Sequence, residues 1–445
     1  MADQYDVVLK GGTVVNQDGT GERDVAISDG RIVALSSSSE PLTGAALETI
    51  ECKGLHILPG VIDSQVHFRE PGLEHKEDLA TGSQAAVLGG VTVVFEMPNT
   101  NPLTTTEKAL ADKVSAARGR MFCDFAFYVG GTRENIDDIP ALERLEASAG
   151  MKIFMGSSTG NLLVDDEASL DKIIAKLSRR AAFHSEDEAR LIEREGVRRP
   201  GDPSSHPEWR DVEAAMISTR RLVHLAEKHR RRVHVLHIST GDEIEFLRAH
   251  KDWASVEVTP NHLTLTAPEC YERLGTFAQM NPPVRDGAHQ ARIWAGVRDG
   301  TVDVLGSDHA PHTREEKQHA YPASHSGMTG VQTLVPIMLD HVNAGRLSLE
   351  RFVDLTSHGP QRIFGLRGKG RIAVGYDADF TIVDMKRRQT ITNDWIASKC
   401  GWSPFDGATV TGWPVRTVIR GRTVMADGEL LGDAQGDAAR FWENE

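Results

Sequence analysis

The sequence has few cysteines, no long apolar run and no excess of basic residues. Its 445 residues include four cysteines, and none of them forms the Cys-x-x-Cys spacing that zinc and redox motifs use. No stretch approaches the roughly 20 apolar residues that a membrane-spanning helix needs, which argues against a protein anchored by such a helix. The scattered cysteines predict buried free thiols in a reducing cytoplasm: Cys52, Cys123, Cys270 and Cys400.

The charge balance is acidic. The formal net charge is −14, which disfavours a surface for nucleic acid or for anionic membranes. The one dense basic run, His229–Arg232, lies between an apparent helix end and a strand, where we expect it to complement the helix dipole and stay solvated. The acidic start, Met1–Asp6, has no basic flank ahead of an apolar run, so we expect no signal peptide. The protein can still bind a small anionic molecule, because a few local groups define such a site.

Both ends of the chain have the pattern of short strands joined by turns. The run Asp24–Val33 carries the turn Asp29-Gly30, which is a hairpin signal, and Gly421 separates two runs near the end. We expect both ends to pack together as one small β-sandwich domain, formed by residues 1–55 and 366–445. The strand-like runs are Asp6–Val15, Asp24–Val33, Ala378–Asp384, Val415–Arg420 and Arg422–Met425.

Between the ends, residues 56–365 alternate apolar strand-like runs with helical patterns. Eight repeats of this kind predict an α/β fold, a (β/α)8 TIM-type barrel that makes up the second domain. In such barrels the catalytic groups lie at the carboxyl ends of the strands. The eight runs are His56–Phe68, Val91–Met97, Phe122–Val129, Met151–Met155, Ala181–His184, Val233–Ile238, Ser255–Val258 and Val302–Leu305.

Reactive side chains do cluster at the ends of these runs. Several histidines with an aspartate and a lysine form a set that can bind a metal. His234 and His237 are three residues apart and face opposite sides of a regular strand, so we expect only His237 to point to the site. The residues concerned are His67, Arg69, Asn99, Lys152, His184, His237, Asp308 and His312.

Lys152 is the one lysine in an otherwise apolar strand-like run, Gly150–Gly156. A buried ammonium costs several kcal/mol unless it is paired. Lys152 must therefore meet a carboxylate, lose its proton or be chemically modified. The first outcome is the commonest in proteins, but the pattern of neighbouring strand-end histidines favours the third.

Five short motifs, in order along the chain, resemble a known family. They resemble the amidohydrolase superfamily and, within it, the dihydroorotases, over essentially the whole chain including both β-rich ends. Each motif alone is modestly specific, whereas their order, mostly at the ends of barrel strands, is highly specific. The motifs are Val66–Gly72, Met97–Asn99, Met280–Arg285, Asp308–His312 and Thr313–Lys317.

The resemblance implies a role for each matching residue. Lys152 matches the position at which the family carries a carboxylated lysine that bridges two metals, and Asp308 would bind metal and shuttle a proton. The implied metal ligands are His67, Lys152, His184, His237 and Asp308. The implied substrate-binding residues are Arg69, Asn99, Asn281 and His312. Arginine suits a planar carboxylate because its fork donates two parallel hydrogen bonds.

One position departs from the family pattern. The family has His-x-His on the first barrel strand, whereas this chain has Gln65-Val66-His67. A glutamine amide oxygen is a poor zinc ligand beside imidazole. We therefore expect one Zn²⁺ to bind well, through Lys152, His184 and His237, and a second to bind poorly.

The resemblance implies reversible hydrolysis of (S)-dihydroorotate to N-carbamoyl-L-aspartate, in de novo pyrimidine biosynthesis, by metal-activated hydroxide. It also implies a cytoplasmic homodimer. Two alternatives stay open. One is another cyclic-amide hydrolase of the allantoinase or hydantoinase type, which needs no arginine matched to a ring carboxylate. The other is a catalytically silent partner of aspartate transcarbamoylase, for which Gln65 is the main argument.

Overall fold

The amino-terminal segment of the computed structural model is built from strands. The structure describes residues 4–37, 41–157 and 162–442. Asp29 and Gly30 have φ values of 51° and 72° and form the hairpin turn between the second and third strands, as predicted from the Asp-Gly pair. The five strands are β1 (Gln4–Asn16), β2 (Gly19–Ser28), β3 (Arg31–Leu35), β4 (Ala45–Glu51) and β5 (His56–Pro59).

The middle of the chain forms eight parallel strands, which confirms the predicted barrel. Their order in the sheet follows the order in the chain, and a parallel bridge between Val66 and His309 joins the last strand region to the first. The His67 N–H also donates to the His309 carbonyl at 2.7 Å. The strands are β6 (Val61–Val66), β7 (Val91–Glu96), β8 (Asp124–Gly130), β9 (Ser148–Phe154), β10 (Ala181–His184), β11 (Val233–Val235), β12 (Ala254–Val258) and β13 (Val304–Leu305).

The carboxyl-terminal segment returns to the amino-terminal strands. It adds β14 (Phe380–Thr390), β15 (Thr409–Ile419), β16 (Arg422–Ala426) and β17 (Glu429–Leu430) to one nine-stranded, mainly antiparallel sheet. The prediction that both ends pair is therefore confirmed. The division of the chain into domains at residues 55/56 and 365/366 stays a prediction.

One strand lies in a different sheet from the one predicted. The sequence predicts a single barrel strand over His56–Phe68, but β5 pairs with β1 and β14 in the terminal sheet. The strand is interrupted at Gly60, where the Cβ of any other residue would lie 2.3 Å from Thr92 Oγ1. The assignment is wrong for the first four residues of the run, because β5 pairs with strands from both ends of the chain, β1 and β14, and such pairing leaves no local signal in the sequence.

Helices connect the barrel strands and cover the barrel. The longest, Val212–His229, begins where the Asp211 side chain accepts from the Ala214 N–H and ends at Arg230, which has a left-handed φ of 52°. The helices are α1 (Leu79–Leu88), α2 (Glu107–Ala117), α3 (Ile139–Leu142), α4 (Glu167–Lys176), α5 (Glu188–Glu193), α6 (His206–Trp209), α7 (Val212–His229), α8 (Gly241–Arg248), α9 (Pro260–Thr264), α10 (Glu269–Leu274), α11 (Gly287–Asp299), α12 (Arg314–Gln318), α13 (Leu334–Asn343), α14 (Leu349–Val353) and α15 (Gly359–Phe364).

Apolar side chains fill the amino-terminal part of the barrel. Phe95 packs edge-on against Phe364 and Phe441, so the end of α15 and the tail of the chain cover this end.

The four cysteines are buried and unpaired, as their scattered positions predict. Within the described residues, no helix has both the length and the apolar character to cross a membrane.

A buried ionic cluster joins the barrel to the terminal sheet. Lys369 Nζ lies 2.7 Å from Asp124 Oδ2 of β8, 3.2 Å from Asp377 Oδ2 and 2.5 Å from Asp379 Oδ2. Arg420 adds a second cation on Asp124. These carboxylates raise the pKa of Lys369 above its usual value although burial alone would lower it.

We expect Lys369→Met to lower the free energy of unfolding by about 3–5 kcal/mol, because it leaves buried carboxylates without their shared cation. Chemical denaturation of the full chain measures this change. The exposed Lys386 is a matched control, and Lys386→Met is expected to change stability by less than about 0.5 kcal/mol. Equal stability of the two variants would show that the Lys369 cluster contributes nothing beyond an ordinary surface lysine.

Candidate active site

Seven of the nine predicted site residues line one cavity at the carboxyl ends of the barrel strands. The cavity is small, about 20 Å³, which is room for about one water molecule. Binding of a ring-sized substrate therefore requires lining side chains to separate. The predicted residues in the lining are His67, Arg69, Lys152, His184, His237, Asn281 and Asp308; the others are Gln65, Phe154, Ala310, Ser326 and Gly327.

The backbone is strained at three of these residues. Arg69, His237 and Asp308 have φ values of 66°, 37° and 47°, in the left-handed region that residues other than glycine rarely adopt. Each lies just past the last residue of a barrel strand. Strain of this kind persists only where surrounding contacts hold it, and it is concentrated at functional sites.

The backbone at His237 is not that of a regular strand, so alternation of faces does not decide which of His234 and His237 points to the site. Because β11 ends at Val235, strict alternation of faces does not extend to residue 237. His234 bonds to Ser255 Oγ at 2.8 Å, lies 3.4 Å from Glu257 and packs edge-on against Phe364. It is not among the cavity-lining residues.

His184 and His237 form a pair of facing imidazoles. Nδ1 of His184 lies 3.0 Å from Nε2 of His237, and the other nitrogen of His184 lies 2.8 Å from Glu186 Oε2. When the proton of His184 lies on the nitrogen that faces Glu186, the lone pair of His184 Nδ1 is directed at His237. Burial lowers the pKa of both imidazoles below the usual value, which favours the neutral form that binds metals.

Lys152 is buried beside this pair without a hydrogen-bond partner among the described residues. It is 1% exposed, and its Nζ lies 4.3 Å from the centroid of the Phe154 ring. Burial lowers the pKa of Lys152 to about 7, although Asp308 and Glu257 act in the opposite direction. The lysine pairs with no carboxylate of the described residues, which leaves deprotonation or chemical modification. Only the neutral amine can react with carbon dioxide to form a carbamate.

The donor set fits a metal ion if Lys152 is carboxylated. Among the described residues, no three His, Cys, Asp or Glu side chains are grouped as a metal site requires. His184 and His237 supply two nitrogens, and a carbamate on Lys152 would supply oxygen ligands. Glu186 holds His184 in the way that carboxylates orient metal-binding histidines.

A second group of polar residues is centred on Asp308. Gln65 Nε2 donates to Asp308 Oδ1 at 3.0 Å, and His67 Nε2 lies 3.3 Å from the same oxygen. The other nitrogen of His67 lies 2.8 Å from Asn99 Oδ1. Burial raises the pKa of Asp308 to about 6, and Lys152 opposes that shift. Asn99 thus contacts His67, a candidate metal ligand, and its contact with substrate stays a prediction.

Arg69 carries an unused donor. It is 1% exposed, its Nε donates to the Pro311 carbonyl at 3.2 Å, and its Nη2 lies 3.3 Å from His312 Nε2. The buried Nη1 has no partner among the described residues. His312 is outside the cavity lining, and it lies 3.2 Å from Lys76 Nζ and 3.4 Å from Glu316 Oε2. It therefore supports Arg69, and its predicted contact with substrate is untested.

Sequence reasoning missed several residues of the site. Glu186 could have been found, because it is an acid two residues after a candidate ligand at a strand end. Arg210 Nη2 lies 2.6 Å from Glu186 Oε2, and His206 Nε2 lies 2.9 Å from Asn281 Oδ1. Gly327 has no comparable signal: a Cβ there would lie 2.4 Å from the Ala310 carbonyl oxygen, a contact that only the fold creates.

The chain resembles known proteins over almost its full length. Residues 56–424 match the amidohydrolase family. The dihydroorotase of Methanothermobacter thermautotrophicus is 35% identical over 411 residues, which cover 92% of each chain. An L-hydantoinase of Paenarthrobacter aurescens is 32% identical over 447 residues, which cover 96% of each chain.

Solved structures show the same architecture. The L-hydantoinase (dihydropyrimidinase) of Arthrobacter aurescens matches with a TM-score of 0.92 and 30% identity, over 98% of this chain and 100% of that one. The family match spans most of the chain, and the relatives exceed 30% identity over nearly all of it. This chain is therefore an enzyme that belongs to the amidohydrolase family.

Proposed function

We propose that this enzyme is a dihydroorotase, which interconverts (S)-dihydroorotate and N-carbamoyl-L-aspartate in pyrimidine biosynthesis. The observation that carries the proposal is the buried Arg69, which lines the cavity with its Nη1 unpartnered among the described residues. A buried donor without a partner is costly, and a carboxylate accepts strong hydrogen bonds from guanidinium. Dihydroorotate carries a ring carboxylate, whereas the ring of a hydantoin requires none.

The proposal includes a metal ion, expected to be zinc. His184, His237 and a carboxylated Lys152 would hold it, and when bound it would supply Lewis-acid activation of water and of the amide carbonyl. His67 and Asp308 are the residues that would hold a second ion. Because Gln65 offers only an amide beside them, we expect the second ion to bind weakly.

Asp308 is the proposed proton carrier. Its carboxyl lies in the cavity, and its raised pKa of about 6 is close to neutral pH, where a general base is efficient. Asp308 would take the proton of the attacking water and deliver it to the ring nitrogen. The amide C–N bond breaks, a C–O bond forms, and the nitrogen becomes the terminal NH₂ of the ureido product.

Arg69 and Asn281 are the proposed substrate-positioning residues in the lining. The guanidinium would fix the ring carboxylate, and the Asn281 amide would bind a polar edge of the ring. Asn99 and His312 would act beside them. Homodimer formation, a cytoplasmic location and association with aspartate transcarbamoylase stay predictions.

Steady-state kinetics with four cyclic amides tests the proposal: dihydroorotate, dihydrouracil, hydantoin and allantoin. We expect kcat/KM for dihydroorotate to exceed that for dihydrouracil, the same ring without the carboxylate, by at least about tenfold, since a hydrogen bond to a charged group contributes about 1.5–3 kcal/mol. A preference for hydantoin or allantoin would favour the other hydrolases. Turnover of none of them by the folded, metal-loaded protein would favour the silent partner.

We expect Glu186→Gln to weaken zinc binding by about 10- to 100-fold, because the carboxylate that orients His184 loses its charge. A competitive titration with a chromophoric chelator measures the affinity. Glu188→Gln, two residues further along the chain, is the control and should bind zinc as the wild type does. Unchanged affinity in Glu186→Gln would show that the Glu186 charge does not support metal binding through His184.

A further inference from the structure

A second cavity lies at the amino-terminal end of the barrel, opposite the candidate active site. It has a volume of about 360 Å³ and is lined by six arginines, and we call it the arginine cavity. The arginines come from the segments just before β10 and β11 and from α15: Arg179, Arg180, Arg230, Arg231, Arg232 and Arg362. The basic run after α7 supplies half of them, and two of its arginines, Arg230 and Arg232, are exposed to solvent, as expected.

The described residues that line the cavity include no carboxylate. Within the described part of the chain, Arg362 is the only one of the six with an ion-pair partner, Asp303 at 3.4 Å. Arg180 donates to the Val233 carbonyl at 3.1 Å and Arg231 to the Ala175 carbonyl at 3.3 Å, contacts that fix the side chains without cancelling their charge. The buried Nε of Arg231 has no partner among the described residues.

This clustering is unusual because the protein as a whole is acidic, with a net charge of −14. Like charges around one cavity repel each other and oppose the compact state unless an anion neutralises them. Guanidinium groups bind phosphate through paired, charge-assisted hydrogen bonds. The cavity therefore has the charge and the donors for a ligand with several phosphate oxygens.

An aromatic side chain stands beside the arginines. Trp442 is 56% exposed, and its backbone N–H donates to the Gly365 carbonyl at 2.7 Å, which fixes its place in the lining. The Arg367 guanidinium lies 4.7 Å from the centroid of a Trp442 ring. An exposed indole next to cations is a platform on which nucleic-acid bases stack.

We propose that the arginine cavity binds a nucleoside triphosphate, with the phosphates among the arginines and the base on Trp442. The site is separate from the candidate active site, and the proposal does not depend on which cyclic amide the enzyme hydrolyses. The two strands that begin at the cavity, β10 and β11, lead to His184 and His237. A ligand there is therefore placed to influence both imidazoles.

Isothermal titration of the full chain with ATP, and separately with inorganic triphosphate, tests the proposal at about 0.15 M salt, where weak surface attraction is screened. We expect one ATP per chain. Binding should weaken at least about tenfold in Arg231→Gln/Arg232→Gln, because charge-assisted hydrogen bonds are lost. Arg23→Gln/Arg422→Gln removes the same charge from exposed positions in the terminal sheet and should bind ATP as the wild type does.

Trp442→Ala tests whether the base of the nucleotide stacks on the Trp442 ring. The wild type should bind ATP more tightly than inorganic triphosphate, and the variant should bind both equally. The proposal is overturned if the wild type binds neither probe, if the cavity variant binds as tightly as the wild type, or if the control variant weakens as much as the cavity variant. A preference for ATP that survives Trp442→Ala would overturn the placement of the base.

Discussion

Asp308→Asn is expected to lower kcat for dihydroorotate by about 10²- to 10⁴-fold, the usual contribution of a positioned general acid or base. Asparagine keeps the shape and can still accept the Gln65 amide hydrogen bond, which is 3.0 Å long in the structure. It cannot take a proton from water and deliver it to a leaving nitrogen. The loss should therefore appear in kcat rather than in the stability of the fold.

The matched control for this variant is Asp252→Asn, a change of the same type at an exposed position. Its kcat should equal that of the wild type. Circular dichroism and thermal unfolding of both variants verify the fold. Near-normal turnover by a folded Asp308→Asn protein would remove Asp308 from the mechanism.

Arg69→Met is expected to reduce kcat/KM for dihydroorotate by about 30- to 4,000-fold, because truncating one partner of a buried charge pair costs about 2–5 kcal/mol. Methionine fills much of the same space without the guanidinium. Any residual turnover of dihydrouracil, which lacks the carboxylate, should change far less. The ratio of the two kcat/KM values measures how strongly Arg69 selects for the charged substrate.

Arg69→Lys provides a graded comparison, because it keeps the charge and loses the planar fork. We expect it to lie between the wild type and Arg69→Met for dihydroorotate. An equal loss on both substrates in Arg69→Met would instead show that Arg69 supports the fold around Pro311 and His312. The assignment of the ring carboxylate to Arg69 would then be wrong.

The barrel could be predicted from the sequence because its signal is local. Most of the apolar runs are separated by helical patterns, and all eight correspond to strands in the predicted order. The strand His56–Pro59 could not be assigned, since it pairs with β1 on one side and with Phe380–Val383, at the far end of the chain, on the other. Apolar character alone does not say which sheet a strand joins.

The residue types of the site could also be predicted, but their geometry could not. Strand-end positions identify His67 and Asp308, and its isolation in an apolar run identifies Lys152. The left-handed backbone of Asp308, in contrast, arises from the packed fold. The contact of His67 with Asn99 likewise depends on how two loops meet. The arginine cavity shows the same limit, because the basic run after α7 meets Arg362, which is distant in sequence.

The glutamine that departs from the family pattern has a defined contact in the structure. Gln65 Nε2 donates to Asp308 Oδ1, while its Oε1 is buried without a partner among the described residues. The amide thus holds the proposed proton carrier in place. This contact gives Gln65 a role that is compatible with catalysis even if it binds no metal.

The most direct test of the account is turnover of dihydroorotate by the purified chain before chelation, after chelation and after zinc is restored, with zinc content measured in each sample. We predict activity that disappears with the chelator and returns at about one zinc per chain, as expected for a metal-activated hydrolase. No turnover by folded protein with zinc bound, or full turnover after zinc is removed, would contradict the account.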